Sequence, residues 1–245
     1  MTGDPPSAPG RILLKLSGEL LAGGSGAGID PSSLEAYAGE LTAVSSAGWR
    51  PGVVIGGGNV IRGVSSSGIS RNRADSMGML ATVINAIAVA DAIERSGGRA
   101  SVLTSFQIQG MDCFTPDLAS RLLDSGHVVL YAGGTGNTHL STDTAAALRA
   151  VQTGCRMLMK GTKVDGIYDR DPKRYPGTRR FDTLSWDTVL RLGLGVMDAA
   201  AVAVLRDNSL PFLVFDVTDP SGITRALADP SIGTLVGEGP KECQE

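Results

Sequence analysis

Basic charge, aromatic rings, cysteine and long apolar runs are all scarce in this chain, and each shortage excludes something. Twenty-two Lys and Arg against 25 Asp and Glu leave a formal net charge of −3, and aromatic residues make up 4%. The chain therefore lacks both the cationic excess that draws a phosphodiester backbone and the platforms on which unpaired bases stack, so nucleic acid is not an expected partner. The three cysteines, Cys113, Cys155 and Cys243, are odd in number and far apart. They show no metal-ligand spacing, so no structural metal site is expected, and free thiols in a reducing compartment are. Cys113 and Cys155 read as small buried side chains, and Cys243 lies in a polar tail. The longest apolar stretch, Met79 to Ile93, is about 15 residues interrupted by Thr82, Asn85 and Asp91. A bilayer needs roughly 20, so no membrane partner is expected. The opening Met1 to Gly10 carries three prolines and no apolar segment. It reads as a disordered lead, not a signal peptide, and places the chain in the cytoplasm.

What the chain has in excess is glycine, at 33 of 245 residues, or about 13% against a usual level of roughly 7%. The glycines cluster between apolar runs without a repeat, which excludes collagen-like and linker sequences. With 42% hydrophobic and 19% charged residues the rest is ordinary globular usage, and 245 residues can bury a sizeable core.

The runs alternate in type. Arg11 to Leu16 reads as a buried strand entering a loop at Ser17-Gly18, and a glycine-rich loop follows from Gly23 to Gly28. Asp30 and Pro31 then open a helix that carries Leu34, Tyr37, Ala38, Leu41 and Val44 and stops at Gly48. Further strands are expected at 51–55, 100–103, 127–131, 156–160, 212–215 and 234–236. Helices are expected at 76–96, after a polar segment holding Arg62, Arg71 and Arg73, and at 115–124, 142–153, 185–192, 198–208 and 221–228. This alternation predicts an α/β fold with an open, mostly parallel sheet sandwiched by helices. No compositional break divides it, so residues 11–237 read as one domain, between the lead at 1–10 and a tail at 238–245.

Ligands of such sheets lie beyond the carboxyl ends of the strands. Four glycine-bearing loops stand there: Ser17-Gly18, Gly56 to Asn59, Gly133 to Asn137, and Gly161-Thr162. Backbone N–H groups freed by small residues cradle anions, and four such loops on one edge suit several phosphates. Neither common nucleotide signature is present, since the chain contains no Gly-Lys pair and no G-x-G-x-x-G window. Lys15 precedes the first cradle, and Lys160 and Lys163 flank the fourth, as charges suited to a phosphoryl group in transfer. Asp143 reads either as a carboxylate orienting these lysines or as a helix cap beside Thr142.

In their order, these segments resemble the bacterial uridylate (UMP) kinases of the amino-acid kinase superfamily. The matching stretches are Arg11 to Glu19, Val53 to Asn59 with Arg62-Gly63, Asp75 to Thr82, Thr135 to Asn137 with Ser141 to Thr144, Lys160 to Pro172, and Val196-Met197-Asp198 with Leu205 to Asn208. Together they span roughly residues 11 to 237. The resemblance implies transfer of the ATP γ-phosphoryl group to UMP with Mg2+, by a homo-oligomer, typically a hexamer. It implies an acceptor half at about 11–150 and an ATP half at about 151–237. Lys15, Arg62, Asp143 and Lys160 would be catalytic. Lys15, Leu16, Ser17, Gly18, Gly58, Arg62, Thr162, Tyr168 and Asp171 would bind ATP. Gly57, Asp75, Thr135, Gly136, Asn137, Thr138, His139, Leu140, Ser141 and Thr142 would bind UMP.

Two departures bear on the acceptor. Relatives commonly read Gly-Asn-Pro-Phe-Phe where this chain has Gly136-Asn137-Thr138-His139-Leu140, and the stretch 106–124 holds only Arg121 where relatives carry an arginine-rich helix. His139 is either a surface substitution or an acceptor contact that would make binding pH-sensitive, and His127 reads as structural. The alternatives to a UMP kinase are a paralogous kinase with another phosphorylated acceptor and a non-catalytic nucleotide- or oxyanion-binding protein.

Overall fold

Arg11–Leu16 (β1) is nearly all apolar because it lies mid-sheet with both faces covered. Ile12, Leu13 and Leu14 are fully buried, each contributing about 1.5–3 kcal/mol by leaving water. The computed structural model describes residues 9–61, 68–172, 174–175 and 177–238. Arg62, Cys243, most of the lead and most of the tail lie outside them.

The other strands are Arg50–Ile55 (β2), Ala100–Thr104 (β3), Asp112–Cys113 (β4), Val128–Ala132 (β5), Met157–Thr162 (β6), Thr183–Ser185 (β7), Phe212–Asp216 (β8) and Thr234–Gly237 (β9). They form a nine-stranded sheet in the order β4-β3-β5-β2-β1-β6-β8-β9-β7, parallel except where β9 runs against β8. Alternate residues of each strand feed two cores. Ile12, Leu14 and Leu16 meet Pro31–Ser46 (α1), Arg71–Arg95 (α2) and Gly222–Ala228 (α7). Leu13 and its neighbours meet Pro116–Asp124 (α3), Thr142–Gln152 (α4), Trp186–Leu192 (α5) and Ala199–Asp207 (α6). The expected helix-sheet-helix sandwich is what forms, and α1 is capped as its sequence implies, with the Asp30 carboxylate accepting from the Ser33 N–H at 2.8 Å.

Several local expectations need correction. Helix α2 begins at Arg71, not Ser76, because its polar first turn is helical and solvated, with Arg71 and Asp75 paired at 3.8 Å across one turn. With 25 residues it is by length and composition long enough to cross a membrane, which the 79–93 run alone is not. Its inner face, with Ala81, Val83, Ala86, Val89 and Ile93, is instead buried against the sheet. Residues Gly18–Ser25 form tight 3-10 turns kinked at Gly23, ahead of the rest of the expected glycine loop. β4 and β7 are too short to show a periodicity. Cys113 is exposed on the two-residue edge strand β4, whereas Cys155 is buried as expected and burial pushes its thiol up to about 11. His127 is structural, its Nδ1 3.0 Å from Ser101 Oγ.

Candidate active site

β1 and β6 are adjacent and parallel, with Lys15 in register opposite Lys160. Both lie on the α4 side by strand alternation, so two ammonium groups come together, a costly arrangement without a counter-charge. Asp143 supplies it from the first turn of α4, with Oδ1 3.0 Å from Lys15 Nζ and Oδ2 2.5 Å from Lys160 Nζ. All three side chains are mostly buried. Burial alone would raise the Asp143 carboxyl, but the charges of Lys15 and Lys160 outweigh it and hold the group below its ordinary value. Burial pushes the Lys160 ammonium below the usual lysine value, against the pull of Asp143. Lys160 also donates to the Val196 carbonyl at 2.5 Å.

Asp143 is not the helix cap that one reading allowed. Ser141 caps α4, its hydroxyl accepting from the Asp143 N–H at 2.9 Å, which frees the Asp143 carboxylate for the lysines. Asp198, absent from the sequence-derived site, fixes this helix start. It accepts hydrogen bonds from Ser141 Oγ and Thr144 Oγ1 while capping α6 through the Ala201 N–H. The only sequence signal for it was its place in the Val196-Met197-Asp198 stretch.

A cavity of about 280 Å³ opens at the carboxyl ends of β2 and β5, on one side of the lysines in the strand order. Gly57, Gly58, Asp75, Asn137, Leu140, Ser141 and Thr142 line it, together with Met79, Thr82 and Gly134. Of the ten residues expected to bind the acceptor, Thr135, Gly136, Thr138 and His139 do not line it. Thr135 Oγ1 is spent within its own loop, on the N–H and carbonyl of Asn137. His139 has a left-handed backbone, φ 66°, and its ring clasps α2 through Asn72 Oδ1 at 2.7 Å. It is thus an exposed residue that does not line the cavity. Its backbone N–H donates to Asp75 Oδ2 at 2.7 Å, so one oxygen of Asp75 already holds the loop.

On the other side, above β6 and β8, a second cavity of about 520 Å³ is lined by Thr162, Tyr168 and Asp171 with Ile167, Leu194 and Val196. Tyr168 OH donates to Asp165 Oδ1 at 2.6 Å, and Thr162 Oγ1 to the Val164 carbonyl at 2.6 Å. Lys163 is not beside Lys160 but bridges to Glu19 Oε2 at 2.6 Å, joining the turns after β1 and β6. Leu16 is a buried core residue at the end of β1, so it can offer only backbone to a ligand. Ser17 Oγ accepts from the Glu19 N–H at 3.3 Å. Gly18 has no space for a side chain, since a Cβ there would lie 2.1 Å from the Gly56 carbonyl oxygen.

Sequence reasoning also missed Arg149. It is buried on α4, with its guanidinium 3.8 Å from the centre of the Phe114 ring and an N–H donated to Ser105 Oγ at 3.0 Å. Ser105 in turn donates to the carbonyls of Ala132 and Gly134, bracing the glycine loop after β5. Nothing local in the sequence marks an arginine bonded 44 residues away.

Two clefts flanking a lysine-carboxylate-lysine cluster at the carboxyl edge of an open parallel sheet define a group-transfer site, and the chain belongs to the amino acid kinase family, whose model matches residues 10–216. It is 45% identical over 229 residues to the uridylate kinase of Xanthomonas campestris pv. campestris, covering 92% of this chain and 95% of that protein. Among solved structures it is similar to the UMP kinase of Bacillus anthracis, with a TM-score of 0.90, 31% identity and coverage of 94% and 96% of the two chains. The UMP kinase of Ureaplasma parvum gives a TM-score of 0.89 at 30% identity, covering 94% of this chain and all of that one.

Proposed function

We propose that this ATP-dependent phosphotransferase transfers the γ-phosphoryl group of ATP to UMP, giving ADP and UDP. The observation that carries the reading is the Lys15–Asp143–Lys160 cluster between two cavities of the size that nucleotides need. UMP occupies the cavity above β2 and β5, in the half spanning residues 11–150. The ATP base and ribose occupy the cavity of Thr162, Tyr168 and Asp171, in the half spanning 151–237, and the ATP phosphates reach across Ser17, Gly18 and Gly58 toward Lys15. Arg62, outside the described residues, completes the phosphate contacts in this reading.

Transfer between two polyanions is a matter of alignment and of cations aimed at the developing charge. Lys15 and Lys160 supply that charge. Asp143 keeps both ammoniums aimed, and takes no part in the bond changes: the UMP phosphate oxygen bonds to the γ-phosphorus as the bond to the ADP oxygen breaks. Mg2+ fits here as a companion of the nucleotide. Both oxygens of Asp143 face ammonium groups, and among the described residues no group of three carboxylate, histidine or cysteine side chains could hold the ion. Phosphate oxygens and water would therefore be its ligands, and its charge would add to that of the lysines.

A homo-oligomer, a hexamer by resemblance, is supported by α2. Met77, Leu80, Ile84 and Ile87 stand exposed at spacings of three and four along it, an apolar seam suited to a second copy. A cytoplasmic setting is supported by the unpaired thiols of Cys113 and Cys155. The deciding experiment measures ADP release over UMP, CMP, dUMP, AMP and GMP. Turnover highest with UMP is expected. Turnover highest with another acceptor would favour the paralogous kinase, and none with any acceptor the non-catalytic binder.

A further inference from the structure

Asn59 and Asn85 are among the most deeply buried polar residues, at 1% and 0% exposure. Asn59 closes the Gly56–Asn59 loop, and Asn85 lies mid-way along α2. Their amides face each other in a closed ring: Asn59 Nδ2 donates to Asn85 Oδ1 at 2.9 Å, and Asn85 Nδ2 donates to Asn59 Oδ1 at 2.7 Å. The two remaining N–H groups reach outward. Asn85 donates to the Gly56 carbonyl at 2.7 Å, and Asn59 to the Gly28 carbonyl at 2.8 Å. Every amide hydrogen is thereby used, so the ring has one arrangement and its neighbours are fixed with it.

The position of this ring is informative. Gly18 sits directly over it, since a Cβ on Gly18 would lie 2.4 Å from Asn59 Oδ1 and 2.9 Å from Asn85 Nδ2. The turn after β1, which the reading above gives to the ATP phosphates, therefore rests on the same pair that grips the loop carrying Gly57 and Gly58. Helix α2 also holds the acceptor side, through Asp75 to the His139 N–H and through Thr82 Oγ1, which accepts from the Gly133 N–H at 2.8 Å. The amide ring is thus the junction at which the donor loop, the shared glycine loop and the acceptor helix meet.

We propose that Asn85 is a positioning residue that sets the alignment of donor and acceptor phosphates through its bond to Gly56, with Asn59 its structural partner in the ring. This rests on the functional reading above. Neither side chain touches substrate, so their loss should appear in the chemical step more than in binding. Misplacement of about 1 Å at such a site costs on the order of a hundredfold in rate.

The test compares Asn85→Ser with Asn59→Ser. Each removes one amide from the same ring and leaves a similar cavity, but only Asn85→Ser releases Gly56, while Asn59→Ser releases Gly28. The expected result for Asn85→Ser is a fall in kcat of about tenfold to a hundredfold, with both Michaelis constants within about threefold of wild type. Asn59→Ser should match it in melting temperature yet retain clearly more turnover. Equal kcat losses in the two variants, or a loss that tracks only the unfolded fraction, would overturn the inference in favour of a merely structural ring. Should Asn85→Ser fail to fold, Asn85→Thr keeps the volume and carries the same expectation. Wild-type protein inactive on UMP would overturn the functional reading instead. Hydrogen exchange then decides the inference without substrate: faster exchange at Gly18 and across 56–60 in the Asn85 variant alone supports it, and equal exchange in both overturns it.

Discussion

A carboxylate between two lysines is an arrangement whose parts do different jobs at the same distance. Lys15 can leave and the pair of Asp143 with Lys160 still stands, so Lys15→Ala should fold normally while kcat falls about a hundredfold or more, the usual effect of losing a group aimed at transition-state charge. Steady-state kinetics beside circular dichroism check this, and near-wild-type turnover would contradict it. Asp143 differs because both lysines depend on it. Its folded value lies below the ordinary 3.8, so its stabilisation is complete above that value and is lost as pH falls through the lower one. Asp143→Asn should therefore melt well below wild type at about pH 7, with the gap narrowing at about pH 3. Thermal melts at the two values give the sign directly. Asp75, whose carboxylate meets both the acceptor cavity and the loop through His139, should behave differently again. Asp75→Asn should raise the Michaelis constant for UMP several times more than that for ATP, an asymmetry that initial-rate kinetics resolve.

At the scale of elements, most of the architecture was legible because buried parallel strands are near-continuous apolar runs and the helices between them carry cap residues. Asp30 before Pro31 marks a helix start that the structure places as read. What was not legible has a common cause. The first turn of α2 is solvated and polar, β4 and β7 are two and three residues long, and none of these imprints a period on the sequence. The candidate site divides the same way. Lys15 and Lys160 could be named because glycine loops mark their strand ends, and Asp143 through the family resemblance, whereas Asn85 and Arg149 look like unremarkable helix residues. Their partners, Gly56 and Ser105, are 29 and 44 residues away and are set only by packing. Of residues 138–140 only Leu140 lines the acceptor cavity, and the left-handed backbone of His139 disfavours a bulky replacement. Leu140→Phe alone should thus lower the Michaelis constant for UMP by up to about tenfold relative to CMP, the effect of one filled apolar contact. Kinetics on both acceptors check it.

At the scale of the whole molecule, helix α2 joins most of what the chain does. Its start lines the cavity proposed for the acceptor, its middle grips the Gly56–Asn59 loop, and its outer face carries the apolar seam of Met77, Leu80, Ile84 and Ile87. A charge in that seam, as in Leu80→Glu with Ile84→Glu, should lower the molar mass seen by light scattering. Activity should fall with it, because α2 would lose its outer support. Phosphoryl transfer from ATP to UMP at the lysine-carboxylate cluster is tested most directly by phosphorus NMR of purified protein mixed with ATP, Mg2+ and UMP. The expected result is equal growth of ADP and UDP resonances as ATP and UMP decline, slowed about a hundredfold in Lys15→Ala. ADP accompanied by free phosphate without UDP, or UDP formed as fast by the variant as by wild type, would contradict it.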